Sequence, residues 1–122
     1  MSRGLNKVHL IGRIGKDPEG GTIPSTGSSV CNFSLATGEE WKNKETGAKE
    51  ERTEWHKITV FGRLAEVALS NLKKGDLVYL EGKLRTRSFD KQGVTHFTTE
   101  IVADEMEFLT KHDPNGQRAG NR

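Results

Sequence analysis

The tightest constraint on this chain is an alternation over ten residues, Thr53 to Gly62, reading Thr-Glu-Trp-His-Lys-Ile-Thr-Val-Phe-Gly. Successive side chains of a strand point to opposite faces, so His56, Ile58 and Val60 form one row and Trp55, Lys57, Thr59 and Phe61 the other. The first row is predicted to face a core. The second sets two aromatic rings and a cation on the opposite face, the residue types that stack on unpaired bases and neutralise the phosphates between them. Aromatic residues are equally common in strands for packing alone, so this stretch by itself leaves burial and binding both open.

The remaining elements follow from the same periodicities. Residues 5–14 alternate as a first strand, with Val8, Leu10 and Ile14 inward and His9, Ile11 and Arg13 outward. Gly12 interrupts the inward row, as a tightly curved small barrel requires. Residues 15–29 are rich in Gly, Pro, Ser and Thr and read as a loop. A second strand, Ser29 to Thr37, turns Cys31, Phe33 and Leu35 inward. Residues 38–52 are charged and nearly devoid of apolar side chains, and read as a long exposed hairpin turning at Thr46-Gly47. Trp41, isolated in it, has little core to enter and is a candidate binding ring. After the central strand the period changes: Leu64, Val67, Ala68 and Leu72 make a helical stripe within residues 63–74, with Lys73 and Lys74 at its negative end and Gly75 as its stop.

A fourth strand, Asp76 to Phe89, has Val78, Leu80, Gly82 and Leu84 as its core row. Its other row runs Leu77, Tyr79, Glu81, Lys83, Arg85, Arg87, Phe89, three cations ending at a ring. Residues 90–93 form a turn, and Val94 to Leu109 a fifth strand with Phe97, Thr99 and Ile101 inward. Residues 1–109 are thus predicted to form one domain, and residues 110–122, polar and basic without periodicity, a disordered tail. Three strands, a helix and two strands predict an all-β OB-fold, a five-stranded Greek-key barrel with one helix between strands three and four.

Composition narrows the function. A chain of 122 residues with 32% hydrophobic side chains suits one small barrel with an exposed working face. Its net charge of +2 is too mild to argue for nucleic acid, so the arrangement of charge must carry that case. A single cysteine, Cys31, excludes an internal disulfide framework. Neither a membrane-spanning run nor a signal-peptide pattern is present, so a soluble, intracellular protein without membrane contact is expected. The four histidines lack metal-ligand spacing, and neither a phosphate-binding glycine loop nor a nucleophile elbow occurs. No enzymatic activity, metal or cofactor is expected.

Several ordered segments resemble the bacterial single-stranded DNA-binding protein family of the replicative type. They are Ser2-Arg3-Gly4-Leu5-Asn6-Lys7-Val8, Gly15-Lys16-Asp17-Pro18-Glu19, Leu35-Ala36-Thr37, Thr53-Glu54-Trp55-His56, Phe61-Gly62-Arg63-Leu64-Ala65-Glu66-Val67-Ala68, Lys74-Gly75 and Val78-Tyr79-Leu80-Glu81-Gly82-Lys83-Leu84-Arg85-Thr86-Arg87. The resemblance implies a homotetramer that binds and protects single-stranded DNA, tolerant of sequence, during replication, recombination and repair, in a bacterial cytoplasm near the nucleoid. It puts the base-stacking rings at Trp41, Trp55, Phe61 and Phe89, the last where a tryptophan is usual. Phosphate contacts are expected from Arg3, Lys44, Lys57, Arg63, Lys74, Lys83, Arg85 and Arg87. Subunit contacts are expected at His9, Ile11, His56, Leu77 and Tyr79. Asn71 stands where the family often has a tyrosine, and the loop from Gly20 to Gly27 departs from the family pattern. Family members generally end in an acidic, hydrophobic tip that recruits replication proteins. Residues 111–122 carry Lys111, Arg118 and Arg122 against Asp113, so recruitment by that route is not expected of them.

Overall fold

The computed structural model describes residues 3–110. Its elements, in order, are β1 Val8–Ile14, β2 Glu19–Thr22, β3 Ser29–Lys42, β4 Lys49–Phe61, α1 Gly62–Asn71, β5 Leu77–Lys91 and β6 Val94–Thr110. The strands form one sheet in the order β1-β5-β6-β4-β3-β2, and β1 also pairs with β3. Five strands therefore close the barrel expected of an OB-fold, with α1 between the third and fourth of them. The sixth, β2, lies where a loop is expected from sequence. Its Glu-Gly-Gly-Thr has no alternation to detect, and its extended form comes from antiparallel pairing with Ser29–Asn32 of β3.

The inward rows meet as anticipated. Cys31, Phe33 and Leu35 of β3, Ile58 and Val60 of β4, and Val78 and Leu80 of β5 are buried together with Ile14, Ile101 and Ala103. Full burial of each large aliphatic side chain is worth ~1.5–3 kcal/mol. Ala65, Ala68 and Leu72 bring the helix onto this core, mainly against β3. The helix is shorter than its stripe predicts. It ends at Asn71, and Lys73 and Lys74 lie beyond it, the Lys73 amide donating to Asp76 Oδ2 (3.0 Å) and the Lys74 amide to Asp17 Oδ1 (2.8 Å).

Parity also fails where strands outrun the barrel. Leu84, expected inward, is 51% exposed, Phe97 is 73% exposed, and Thr99 is exposed as well. These residues keep the core parity, but the β5–β6 hairpin has left the barrel, and none of the described residues covers that face. Gln92 (φ 55°) and Gly93 (φ 78°) both take left-handed backbone, the two-residue turn that suits strand twist, and they fix the pairing of Lys91 with Val94. Phe89, expected at a strand end, therefore lies inside β5. Thr110 ends β6, and the rest of the expected tail lies outside the described residues.

Closure demands one glycine in particular. Where β1 leaves β5 to meet β3, a Cβ on Gly12 would stand 2.3 Å from the Ala36 carbonyl oxygen. Gly12→Ala is expected to destabilise the fold by ~1–3 kcal/mol, as overpacking against backbone does. Gly38→Ala, with nothing within 4 Å of the added carbon, should change stability little by comparison. Urea denaturation of both variants checks this, and equal midpoints would refute the closure argument.

Candidate nucleic-acid interface

Trp55 is the centre of the outward face of β4, and 61% of it is exposed. Its indole lies against Gly15, where a Cβ would come within 2.5 Å of ring atom Cζ3. The glycine thus provides a flat floor that any side chain would lift. Grooves open on both sides of the ring. One is lined by Lys16, Glu19, Ser34, His56 and Lys57, the other by Arg13, Ala36, Lys74 and Gly75, so that each groove carries two cations and the first also one acid. A planar platform between two pairs of cations has the form required to stack a base and neutralise the phosphates on either side of it. Arg13 is held there by donating from Nη1 to the Gly75 carbonyl (2.8 Å).

The next part of the face is a polar row that crosses four strands. Thr59, expected to face outward, is 4% exposed. Its Oγ1 stands 3.0 Å from Asn32 Oδ1 on β3 and 3.0 Å from Glu100 Oε1 on β6. The Glu100 side chain is 1% exposed and accepts hydrogen bonds from both arginines of β5. Arg85 donates through Nε (3.0 Å) and Nη2, and Arg87 through Nε (3.2 Å). Arg85 Cζ also sits 5.4 Å from the centroid of the Phe61 ring, a cation–π contact on a ring that is 37% exposed. Arg85 and Arg87 are therefore not the free cations the sequence row implies. Two positive charges share one buried negative charge.

The other expected site residues lie further out. Lys83 is exposed on the row of Arg85, and Lys57 donates from Nζ to Thr98 Oγ1 (3.4 Å). Arg63 is exposed on the first turn of α1, and Arg3 is exposed before β1. Trp41 and Lys44 belong to the β3–β4 arm beyond the barrel. Trp41 pairs with Glu50, which puts it on the row of His56 and not on that of Trp55. Phe89 stacks on His96 across the other arm, with ring centroids 5.4 Å apart and planes 18° apart. His56, expected at a subunit contact, borders the first of the two grooves beside Trp55, its Nε2 being 2.9 Å from Thr37 Oγ1. His9, Ile11, Leu77 and Tyr79 do gather on the far side, on paired strands β1 and β5. There His9 Nδ1 lies 3.0 Å from the Tyr79 hydroxyl, which donates to Glu81 Oε2 (2.5 Å).

Residues 5–109 match the Single-strand binding protein family. The chain belongs to that family. Among solved structures, this family member is similar to a Plasmodium falciparum SSB in complex with ssDNA, at 33% identity and a TM-score of 0.80, over 89% of this chain and 98% of that one. It is also similar to a deletion mutant of the single-stranded DNA binding protein from Thermus aquaticus, at 28% identity and a TM-score of 0.76. That match takes in 98% of this chain and 56% of the Thermus chain, so this chain spans just over half its length. Among the described residues, no helix of this family member is long and apolar enough to cross a membrane.

Arg13, Lys16, His96 and Glu100 belong to the candidate interface and were not picked out from sequence. Glu100 was legible in principle: counting back from the turn at Gln92-Gly93 puts it opposite Arg85. Burial acts most strongly on its carboxyl and raises its pKa. The hydrogen bonds from Arg85 and Thr59 and the charges of Arg87 and Arg85 together outweigh burial, leaving the pKa below the ordinary 4.5. A depressed carboxyl pKa means that the network's contribution to stability is complete above the unfolded value and is lost as pH falls through the folded one. Glu100→Gln should therefore melt lower than the parent at neutral pH, by roughly 4–8 °C for each ~1 kcal/mol lost. That gap should close in acid, below the ordinary carboxylate range. Thermal melts at both pH values check this, and a gap that persists in acid would contradict it.

Proposed function

We propose that this protein binds single-stranded DNA without strong base preference, as a homo-oligomer, and protects it during replication, recombination and repair in the cytoplasm. The observation that carries the reading is the Trp55 platform, a largely exposed indole on Gly15 between Arg13 and Lys74 on one side and Lys16 and Lys57 on the other. Stacking on such a ring tolerates any base because every base has a π-face. Membership of the single-strand binding family and likeness to a relative held with ssDNA support the same reading. In this account Trp55 and Phe61 stack bases on the barrel, while Trp41 and Phe89 extend the path along the arms. Lys57, Lys74, Lys83, Arg85 and Arg87 contact phosphates near the rings, and Arg3, Lys44 and Arg63 do so further out.

The test is a titration with oligothymidylate followed by tryptophan emission. Binding is expected to quench the emission, and Trp55→Ala to cost ~1–3 kcal/mol of affinity. Phe89→Ala should cost less, since the Phe89 ring already stacks on His96 and stands on an arm. Equal affinity for single- and double-stranded DNA would refute the reading.

The oligomer is supported by β1. Among the described residues it pairs with β3 only at Arg13 and Ile14, so over Val8–Gly12 the edge turned away from β5 carries no described strand. An open edge beside the 56% exposed Ile11 and the half-buried Leu77 and Tyr79 is a surface that a second copy would cover. Light scattering is expected to give four times the chain mass of 13.6 kDa. A monomer at micromolar concentration would contradict this.

A further inference from the structure

The buried acid in the middle of a basic face calls for an explanation. Glu100 has its side chain 1% exposed, whereas those of Arg85 and Arg87 are 42% and 60% exposed. The carboxylate thus lies beneath the guanidiniums and takes little part in the surface itself. It engages Arg85 by Nε and Nη2 and Arg87 by Nε, with Arg87 Nη2 3.5 Å from its other oxygen. The Nη1 end of each guanidinium keeps donors for a second acceptor. Thr59 Oγ1 meets the carboxylate's other oxygen, Oε1, so the anion is held from both sides beneath the two cations.

We propose that Glu100 is a positioning residue for DNA binding: it holds Arg85 and Arg87 by one edge so that their remaining donors meet the phosphate chain in a fixed arrangement beside Phe61. This rests on the functional reading above. Two guanidiniums on one strand repel each other, and long side chains lose rotamer freedom when they are fixed on a ligand. A carboxylate beneath both offsets the repulsion and bears that ordering cost at folding, before DNA arrives. The rival account is that an acid on a phosphate-binding face only weakens binding. The two accounts differ in the sign of the effect when the charge is removed.

The experiment is oligothymidylate titration over a range of salt with the intact chain, Glu100→Gln, Arg85→Ala/Arg87→Ala and the triple variant. Positioning predicts that Glu100→Gln binds about tenfold more weakly despite its added net positive charge, the scale of a lost hydrogen bond to a charged group. In the background lacking both arginines the same substitution should have no effect on affinity. Glu100→Gln binding as well as the parent or better, with a log-log salt slope steeper by ~0.7, would overturn the proposal in favour of simple charge offset. So would an unchanged loss when the arginines are absent. Arg85→Lys/Arg87→Lys keeps the charge but lacks the guanidinium fork, touches only part-exposed side chains, and stands in should Glu100→Gln fold poorly. It too is expected to lose about tenfold, and parental affinity would overturn the proposal. A parent that does not bind oligothymidylate would instead overturn the functional reading. Binding by the parent with an unweakened Glu100→Gln overturns the positioning role alone.

Discussion

The candidate face depends on a short parallel ladder, the pairs Ile58–Ile101, Thr59–Val102 and Val60–Ala103 that join β4 to β6. Parallel pairing is slightly weaker per residue than antiparallel pairing, and three pairs are few. Two things reinforce this joint. Inside, Ile58, Val60, Ile101 and Ala103 are buried in one core. Outside, the polar row from Asn32 through Thr59 and Glu100 to Arg85 and Arg87 crosses β3, β4, β6 and β5. The hydrogen bonds that order the arginines are therefore the same ones that tie the strands across this joint. Structure and the proposed recognition share a single set of contacts.

Beyond the barrel the two hairpins continue as arms, and the division bears on the proposed binding. Trp55 and Phe61 are on the part of β4 that is paired on both sides or close to it, with Gly15 and Arg85 against their rings. Trp41 and Phe89 are on two-stranded ribbons, which are only marginally stable as isolated units in water. Rings on the barrel suit a fixed stacking platform, and rings on ribbons suit contacts that adjust to the path of a flexible strand. Leu84 and Phe97, exposed on the β5–β6 arm, continue core rows past the point where a core exists to receive them.

That distinction also explains what the sequence conveyed. Alternation reports which face a side chain takes, and within the barrel that sufficed: Cys31, Phe33, Leu35, Ile58, Val60, Val78 and Leu80 were all identifiable as core. Alternation does not report whether another element covers the face. Leu84, Phe97 and Thr99 were misread for that reason, and Thr59 in the opposite sense, because Asn32 and Glu100 enclose an outward position. β2 carries no periodic signal since two of its four residues are glycine. Trp55, Phe61, Arg85 and Arg87 could be found as residue types on strand rows. Their surroundings depended on register and on a loop glycine, Gly15, whose contact with the indole is a property of the fold and not of any nearby residue pattern.

The most direct test of the account is photochemical cross-linking of oligothymidylate to the intact protein, with the linked residues identified by mass spectrometry. Cross-links form between stacked partners, so the account predicts them at Trp55 and Phe61, with Trp41 and Phe89 linked by longer oligonucleotides. Cross-links confined to α1 or to the Ile11 and Tyr79 side of the barrel, with Trp55 unmodified, would contradict it.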